Sequence, residues 1–381
     1  MPETDGAPRR DERSQLRKPD RQRARGGASG GGSGASGREA PLYGALDLGT
    51  NNCRLLIAKP ARDGFRVVDS FSRIVRLGEG LSRTGRLDDA AMDRAYEALV
   101  LCGERVAKKG VDSSRLMAVA TQACRQAENG EAFIERVRHG TGLKLRIIDP
   151  VEEARLAVEG CLNLFDHAAE AVLVVDVGGG STELSWLRRK GSADFVLEGW
   201  MSAPVGVVTL AERHPEPGTE LDLWYEAMVA DMGRALAAAP VTPELRDIFT
   251  GGRGHVIGTS GAITSLAGIH LGLRRYQRNL VDGLWMTSGD CERAAEKLMA
   301  LGPAGRAAES CIGPDRADLV LAGAAIMEAV QRAWPSERVR VADRGLREGL
   351  LLQQMRAARP PSRRRRRGRG SNGGGGRNEP A

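Results

Sequence analysis

Two glycine turns, each entered from an apolar run through an aspartate, constrain this 381-residue chain more than any other feature. The first reads Ala45-Leu46-Asp47-Leu48-Gly49-Thr50-Asn51-Asn52, the second Val174-Val175-Asp176-Val177-Gly178-Gly179-Gly180-Ser181-Thr182-Glu183. A second apolar run follows each turn, so each predicts a β-hairpin. Glycine lets the backbone adopt φ > 0 and come close to a ligand. The clustered N–H groups of such a turn make a nest for an anion. One such turn is commonly just a tight turn. Two, with Asp47 and Asp176 lying 129 positions apart, predict a pair of hairpins that clamp an anion between two domains.

Around the hairpins, strand-length apolar runs alternate with helical spacing, which is the pattern of an α/β fold. Strands are predicted over residues 42–48, 53–59, 65–71, 116–121 and 143–148. A helix is predicted over 88–109, through Met92, Tyr96, Leu99 and Val106, and another after Asp149-Pro150. The arrangement then repeats. Strands are predicted over 172–177, 184–187 and 195–200, and helices within 221–238. A strand-turn-helix over 256–269, a helix over 317–333, a strand over 339–342 and a helix over 346–355 follow. These readings place one domain at 41–156 and a second at 157–359, and the length allows two cores.

The flanks differ in kind. Residues 1–40 end in a Gly/Ser stretch, and residues 360–381 carry a run of five arginines at 363–367 with glycines beyond it. Neither can bury enough apolar surface to order itself, so both are predicted disordered. The net charge of +7 lies there: the tails hold +3 and +6, and the body −2. The basic balance therefore says little about the folded part. An Arg/Gly segment suits contact with RNA or another polyanion, or serves as a solubilising tail. The six cysteines show no C-x-x-C spacing, which argues against a zinc or dithiol motif and fits a reducing cytoplasm. No N-terminal apolar stretch resembles a signal peptide, and no run is long enough to cross a membrane.

Several residues are candidates for chemistry. A third turn, Ile257-Gly258-Thr259-Ser260-Gly261-Ala262, opens a helix; it is either an anion site at a helix N-terminus or an ordinary Ser-capped turn. Arg125 lies just past a strand end, where its guanidinium fork suits phosphate and equally suits solvent. Glu153 stands in the first turn of the helix after Pro150, either favoured by the helix dipole or a reactive group. Asp176 and Glu183 either hold a hard divalent cation through oxygen or bond to their own turn.

These segments, taken in order, resemble the exopolyphosphatase/guanosine pentaphosphate phosphohydrolase (Ppx/GppA) family. The resemblance rests on Asp47 to Arg54, Thr121 to Asn129, Glu152-Glu153-Ala154-Arg155, Asp176 to Leu184, Gly258 to Leu266, Arg316-Ala317-Asp318 with Gly323-Ala324-Ala325, and Asp343-Arg344-Gly345-Leu346-Arg347-Glu348-Gly349. It implies two actin-like (ribonuclease H-like) domains flanking a cleft. It implies hydrolysis of a terminal phosphoanhydride, of inorganic polyphosphate or of pppGpp, in the presence of Mg²⁺. By position, Glu153 matches the family's catalytic glutamate, and Asp176 with Glu183 its metal- or water-holding acidic pair. Asp47, Gly49, Thr50 and Asn51 match the first phosphate loop. Gly178, Gly179, Gly180, Ser181 and Thr182 match the second, Arg125 matches a phosphate-contacting arginine, and Gly258, Ser260 and Gly261 form the third turn. The resemblance also implies a homodimer and a last helix packing back on the first domain. The chain departs from the family at Asn52, where many members carry a hydroxyl. Soon after Met355 it has an Arg-rich segment where longer members have a helical domain that contributes to binding long polyphosphate, so the resemblance leaves processivity on long polymers open. An ATP-using relative of the same superfamily and a non-enzymatic alarmone- or polyphosphate-binding regulator are the competing readings.

Overall fold

The computed structural model describes residues 40–62, 64–191 and 194–358. Apart from Ala40, the tail assignments at 1–40 and 360–381, with the proposed RNA or polyanion contact, lie outside the described residues.

The first hairpin forms because six consecutive apolar or small residues lead into the Asp-Leu-Gly turn. Strand β1 (Tyr43–Leu48) is buried along its whole length and pairs antiparallel with β2 (Asn52–Ala61), which pairs with β3 (Gly64–Ile74). On its other edge β1 pairs in parallel with β4 (Leu116–Ala120), and β4 with β5 (Leu145–Ile147). The sheet order is β3-β2-β1-β4-β5. The same plan recurs. Strands β6 (Ala171–Val177), β7 (Thr182–Lys190) and β8 (Asp194–Ala203) form an antiparallel meander. Strand β9 (Gly254–Thr259) pairs parallel to β6. A short β10 (Trp285–Thr287) and then β11 (Arg338–Ala342) complete the order β10-β11-β9-β6-β7-β8. The expected α/β architecture of two hairpin-led halves is observed. In both sheets the glycine turns close the hairpin whose first strand is central, so both turns emerge where the parallel strands end.

Each sheet has its own core. Helices Asp89–Lys109 and Gly130–Thr141 cover one face of the first sheet through Ala95, Leu99, Phe133 and Val137, against Leu46, Leu55 and Ile57. Helices Leu221–Leu236, Gly261–His270 and Val320–Ala333 pack on the second sheet around Trp186 and Trp334, whose rings lie 5.1 Å apart. The other face of the first sheet is covered by two helices distant in sequence, Pro150–Cys161 and Leu346–Ala357. Leu156, Leu346, Leu350 and Leu351 seal Tyr43, Ala45 and Leu56. These two helices cross in near backbone contact. A Cβ at Gly349 would overlap the Leu156 carbonyl, and one at Gly160 would overlap the backbone of Gly345.

Some elements differ from the sequence-based expectations. The strand expected over 143–148 shrinks to Leu145–Ile147, and the helix expected from 317 starts at Val320 after a 3-10 turn at Pro314–Arg316. Helices Gly130–Thr141, Val207–Arg213, Pro243–Thr250 and Ser288–Ala308 were not anticipated. The last is broken by Gly302-Pro303, with Gly302 at φ 62, and this interrupts the apolar period. Among the described residues no helix is long and apolar enough to cross a membrane.

Candidate active site

The two turns have one backbone design. Gly49 N–H donates to the Asn52 carbonyl at 2.9 Å, and Gly178 N–H to the Ser181 carbonyl at 2.9 Å. Strand register then sets the flanking side chains: Asp47 stands opposite Arg54, and Asp176 opposite Glu183. The turns touch, since a Cβ on Gly179 would lie 3.0 Å from Thr50 Cβ and 3.3 Å from Asn51 Cβ. Between them opens a cleft of about 810 Å³. Asp47, Gly49, Thr50, Asn51, Gly178, Gly179 and Ser181 line it, together with Glu153, Asp176, Glu183, Ser260 and Gly261.

Glu153 reaches the cleft because Asp149 caps its helix, accepting from Glu152 N–H at 2.8 Å. Glu152 turns outward to a paired contact with Arg146, at 2.6 and 2.7 Å. Glu153 turns inward, where Arg125 donates to it at 3.2 Å and to the Ile148 carbonyl at 2.7 Å. Burial pushes the Glu153 carboxyl well above its ordinary range; Glu183 adds to the rise, Arg125 opposes it, and Asp176 and Asp47 contribute further. The Asp176 carboxyl is pushed up to about 7 by burial and then by Glu183. Glu183 is raised by burial although it accepts from Ser181 Oγ at 2.6 Å and Ser202 Oγ at 2.8 Å. Asp47 is raised by burial, with Arg54 and Arg347 opposing. Four carboxylates thus crowd one cleft floor, each costly to ionise beside the others.

Arginines share the cleft with these carboxylates. Arg54, Arg316 and Arg347 line the cleft, and none of the three forms an ion pair among the described residues. Arg54 is buried, and this, with the nearby Arg347 and Arg316 charges, lowers its pKa. Its guanidinium reaches across from the first hairpin, with Nη2 3.8 Å from the place a Gly261 Cβ would take. There Ser260 holds φ 110, a region that disfavours side chains, while its hydroxyl accepts from Ala262 N–H at 3.3 Å at the helix start. Strain of this kind is retained where the surrounding structure fixes it, often at ligand sites. The three arginines were not singled out from the sequence; the available signal was a charged residue inside the apolar strand β2, directly across from Asp47.

Residues 56–358 match the Ppx/GppA phosphatase family. The chain belongs to that family. It is 28% identical over 323 residues to Exopolyphosphatase 2 of Mycobacterium tuberculosis, covering 81% of this chain and 97% of that protein. It is 29% identical to the guanosine-5'-triphosphate,3'-diphosphate pyrophosphatase of Aeromonas salmonicida over 82% of this chain, a stretch that makes up 59% of that longer protein. Among solved structures, an exopolyphosphatase-like protein superposes with a TM-score of 0.73 at 29% identity, covering 83% of this chain and 99% of that one. The Aquifex aeolicus member of the family superposes with a TM-score of 0.66 at 26% identity, covering 84% and 100%. Family membership makes the chain a phosphate-releasing hydrolase.

Within the Ppx/GppA cleft the site residues fall into two groups. Those named above as lining it converge. Four others sit behind it. Arg125 holds Glu153. Gly180 backs onto Gln122, where a Cβ would overlap the amide. The Thr182 hydroxyl donates to the Val205 carbonyl at 2.6 Å, and Gly258 lies inside β9 against Ile263 and Met327. Among the described residues no three His, Cys, Asp or Glu side chains gather closely enough to cage a metal ion. The paired Asp176 and Glu183 nevertheless suit a hard cation that keeps water and takes its remaining oxygens from phosphate, as Mg²⁺ does.

Proposed function

We propose that this protein removes the terminal phosphate of inorganic polyphosphate. The water oxygen attacks the terminal phosphorus, the bridging P–O bond breaks, and the water proton passes to the Glu153 carboxylate. Orthophosphate and a chain shorter by one unit leave. The observation that carries the reading is the position of Glu153: a carboxylate made more basic by burial and by Glu183, lining the cleft where the two glycine turns meet. A base of raised pKa is a better proton acceptor at neutral pH.

Phosphoryl transfer spreads negative charge over the transferred group, so catalysis is mostly positioning and charge stabilisation. Turn N–H groups around Gly49 and Gly179 suit the terminal phosphate. Arg54, Arg316 and Arg347, cationic without carboxylate partners, suit the phosphates behind it. Mg²⁺, held by Asp176 and Glu183, would supply charge neutralisation on the phosphate oxygens. Guanosine pentaphosphate is a second substrate class, supported by the 29% identity to the guanosine-5'-triphosphate,3'-diphosphate pyrophosphatase of Aeromonas salmonicida.

The test is phosphate release from purified full-length protein with Mg²⁺, offering long polyphosphate, short polyphosphate and pppGpp separately, with Glu153→Gln as control. Release lost by about 10²–10⁴-fold in the variant, with substrate binding retained, is the expected result. Near wild-type turnover in Glu153→Gln would remove Glu153 from the role of base. Nucleotide or polyphosphate binding with no release from any substrate would turn the reading to a regulator.

A further inference from the structure

The segment between β3 and the helix Asp89–Lys109 bonds to both halves of the molecule at once. Its near side is tied to the first glycine turn: Val75 and Arg76 N–H donate to the Asn51 carbonyl at 2.8 and 3.1 Å, and Gly78 N–H to the Thr50 carbonyl at 2.9 Å. Its far side reaches the second half of the molecule. Arg76 forks onto Asp318, at 2.8 and 3.0 Å, and onto the Asp315 carbonyl at 3.1 Å. Gly80 N–H and the Ser82 hydroxyl both donate to the Glu212 carboxylate, each at 2.9 Å. Glu212 belongs to the helix Val207–Arg213, whose first N–H groups donate to the second turn, Val207 to the Gly178 carbonyl at 3.0 Å and Val208 to the Gly179 carbonyl at 2.8 Å. A continuous hydrogen-bonded path therefore joins the backbones of the two glycine turns outside the cleft.

We propose that residues 75–82 act as a strap that locks the two turns in their facing register, with Arg76 and Glu212 as positioning residues for substrate engagement. This rests on the hydrolase reading above. Arg76 is held at φ 48, a conformation a non-glycine residue keeps only when its surroundings impose it. Its reach to Asp318 depends on that backbone bend. The Arg76–Asp318 pair is partly exposed, so it contributes on the modest scale of a surface ion pair and can open for product release. A binding-competent state populated only in part weakens apparent affinity by that fraction. Loss of the strap therefore raises KM and leaves the chemical step intact.

The test uses full-length protein in two arms. In steady-state phosphate release from polyphosphate, Arg76→Ala and Glu212→Ala are expected to raise KM about five- to tenfold, with kcat within about twofold of wild type. The charge swap Arg76→Asp with Asp318→Arg is expected to recover most of the affinity, and aspartate tolerates the left-handed backbone at position 76. In hydrogen exchange, tripolyphosphate with Mg²⁺ is expected to protect the amides of 78–84 in wild type and not in either alanine variant. Unchanged KM in both alanine variants, or a fall in kcat with KM unmoved, overturns the proposal. If wild type releases no phosphate, the hydrolase reading fails by itself. The strap is then judged by exchange alone, and equal protection in wild type and Glu212→Ala overturns it.

Discussion

Arg125 donates to the Glu153 carboxylate and to the Ile148 carbonyl with the same Nη1, so the cation is fixed beside the base rather than pointed into the cleft. Its effect on Glu153 has a definite sign: it holds the carboxyl down against burial and Glu183. Arg125→Met removes that restraint, and Glu153 keeps its proton to higher pH. The acid limb of kcat/KM is then expected to move upward, with the high-pH plateau largely kept. Profiles from pH 5 to 9.5 check this. A lowered plateau with an unmoved limb would assign Arg125 to phosphate contact instead, the role implied by the family resemblance.

The cleft floor also predicts a pH dependence of stability. Asp47, Glu153, Asp176 and Glu183 all have carboxyls raised on folding, Asp176 to about 7. A raised acid binds its proton more tightly in the folded state. Its contribution is therefore complete below the ordinary carboxylate range and is lost as pH rises through the folded value. In metal-free buffer the thermal midpoint should fall between about pH 4 and pH 8. Asp176→Asn should flatten the fall, and Mg²⁺ at pH 8 should restore several degrees to wild type and less to the variant. Differential scanning calorimetry across pH, with and without Mg²⁺, measures all three. A flat profile would mean that the carboxylates are better solvated than their burial implies.

How much of this was legible in the sequence follows from range. Both hairpins were readable because an Asp and a glycine turn are local, and the register that sets Asp176 opposite Glu183 follows from the turn length alone. The direction of Glu153 was not readable, because Glu152 and Glu153 are neighbours with equal claims. Only the position of Arg146 on β5 and of Arg125, 28 residues away, draws one outward and the other inward. Arg54 was hidden within a largely apolar strand, and Arg316 and Arg347, which share its cleft, come from distant segments. The strap at 75–82 has no periodicity to detect, since its hydrogen bonds are to carbonyls brought near by tertiary structure.

Contact between the turns gives a third prediction. A methyl at Gly179 would stand 3.0 Å from Thr50 Cβ and 3.1 Å from its Cγ2, so Gly179→Ala pries the turns apart by a few tenths of an ångström. Gly179 is not held at positive φ, so the backbone itself accepts alanine. Stability should change little, or rise slightly through the unfolded chain. Activity depends on placement, and kcat/KM should drop about tenfold. Thr50→Ser removes Cγ2 and keeps the hydroxyl, so the double variant should regain much of the loss. A Gly179→Ala enzyme with full activity would show that the two turns do not need this spacing.

The crossing of the helices Pro150–Cys161 and Leu346–Ala357 links stability to catalysis through one glycine. A side chain at Gly349 meets the Leu156 carbonyl, which is backbone and cannot swing away. Leu156 lies one turn beyond Glu153 on the same helix, so displacing the crossing also displaces the base. Gly349→Val should cost about 3 kcal/mol in urea denaturation, the scale of overpacking in a close-packed site. It should also lower kcat, because the base moves with its helix. Gly110, at φ 66 with open space around it and outside the cleft lining, provides the contrast. Gly110→Val strains only its own backbone and leaves Glu153 where it is. The two variants should therefore differ in kcat even where their losses of stability are alike, and equal kcat in both would separate the helix crossing from the placement of the base.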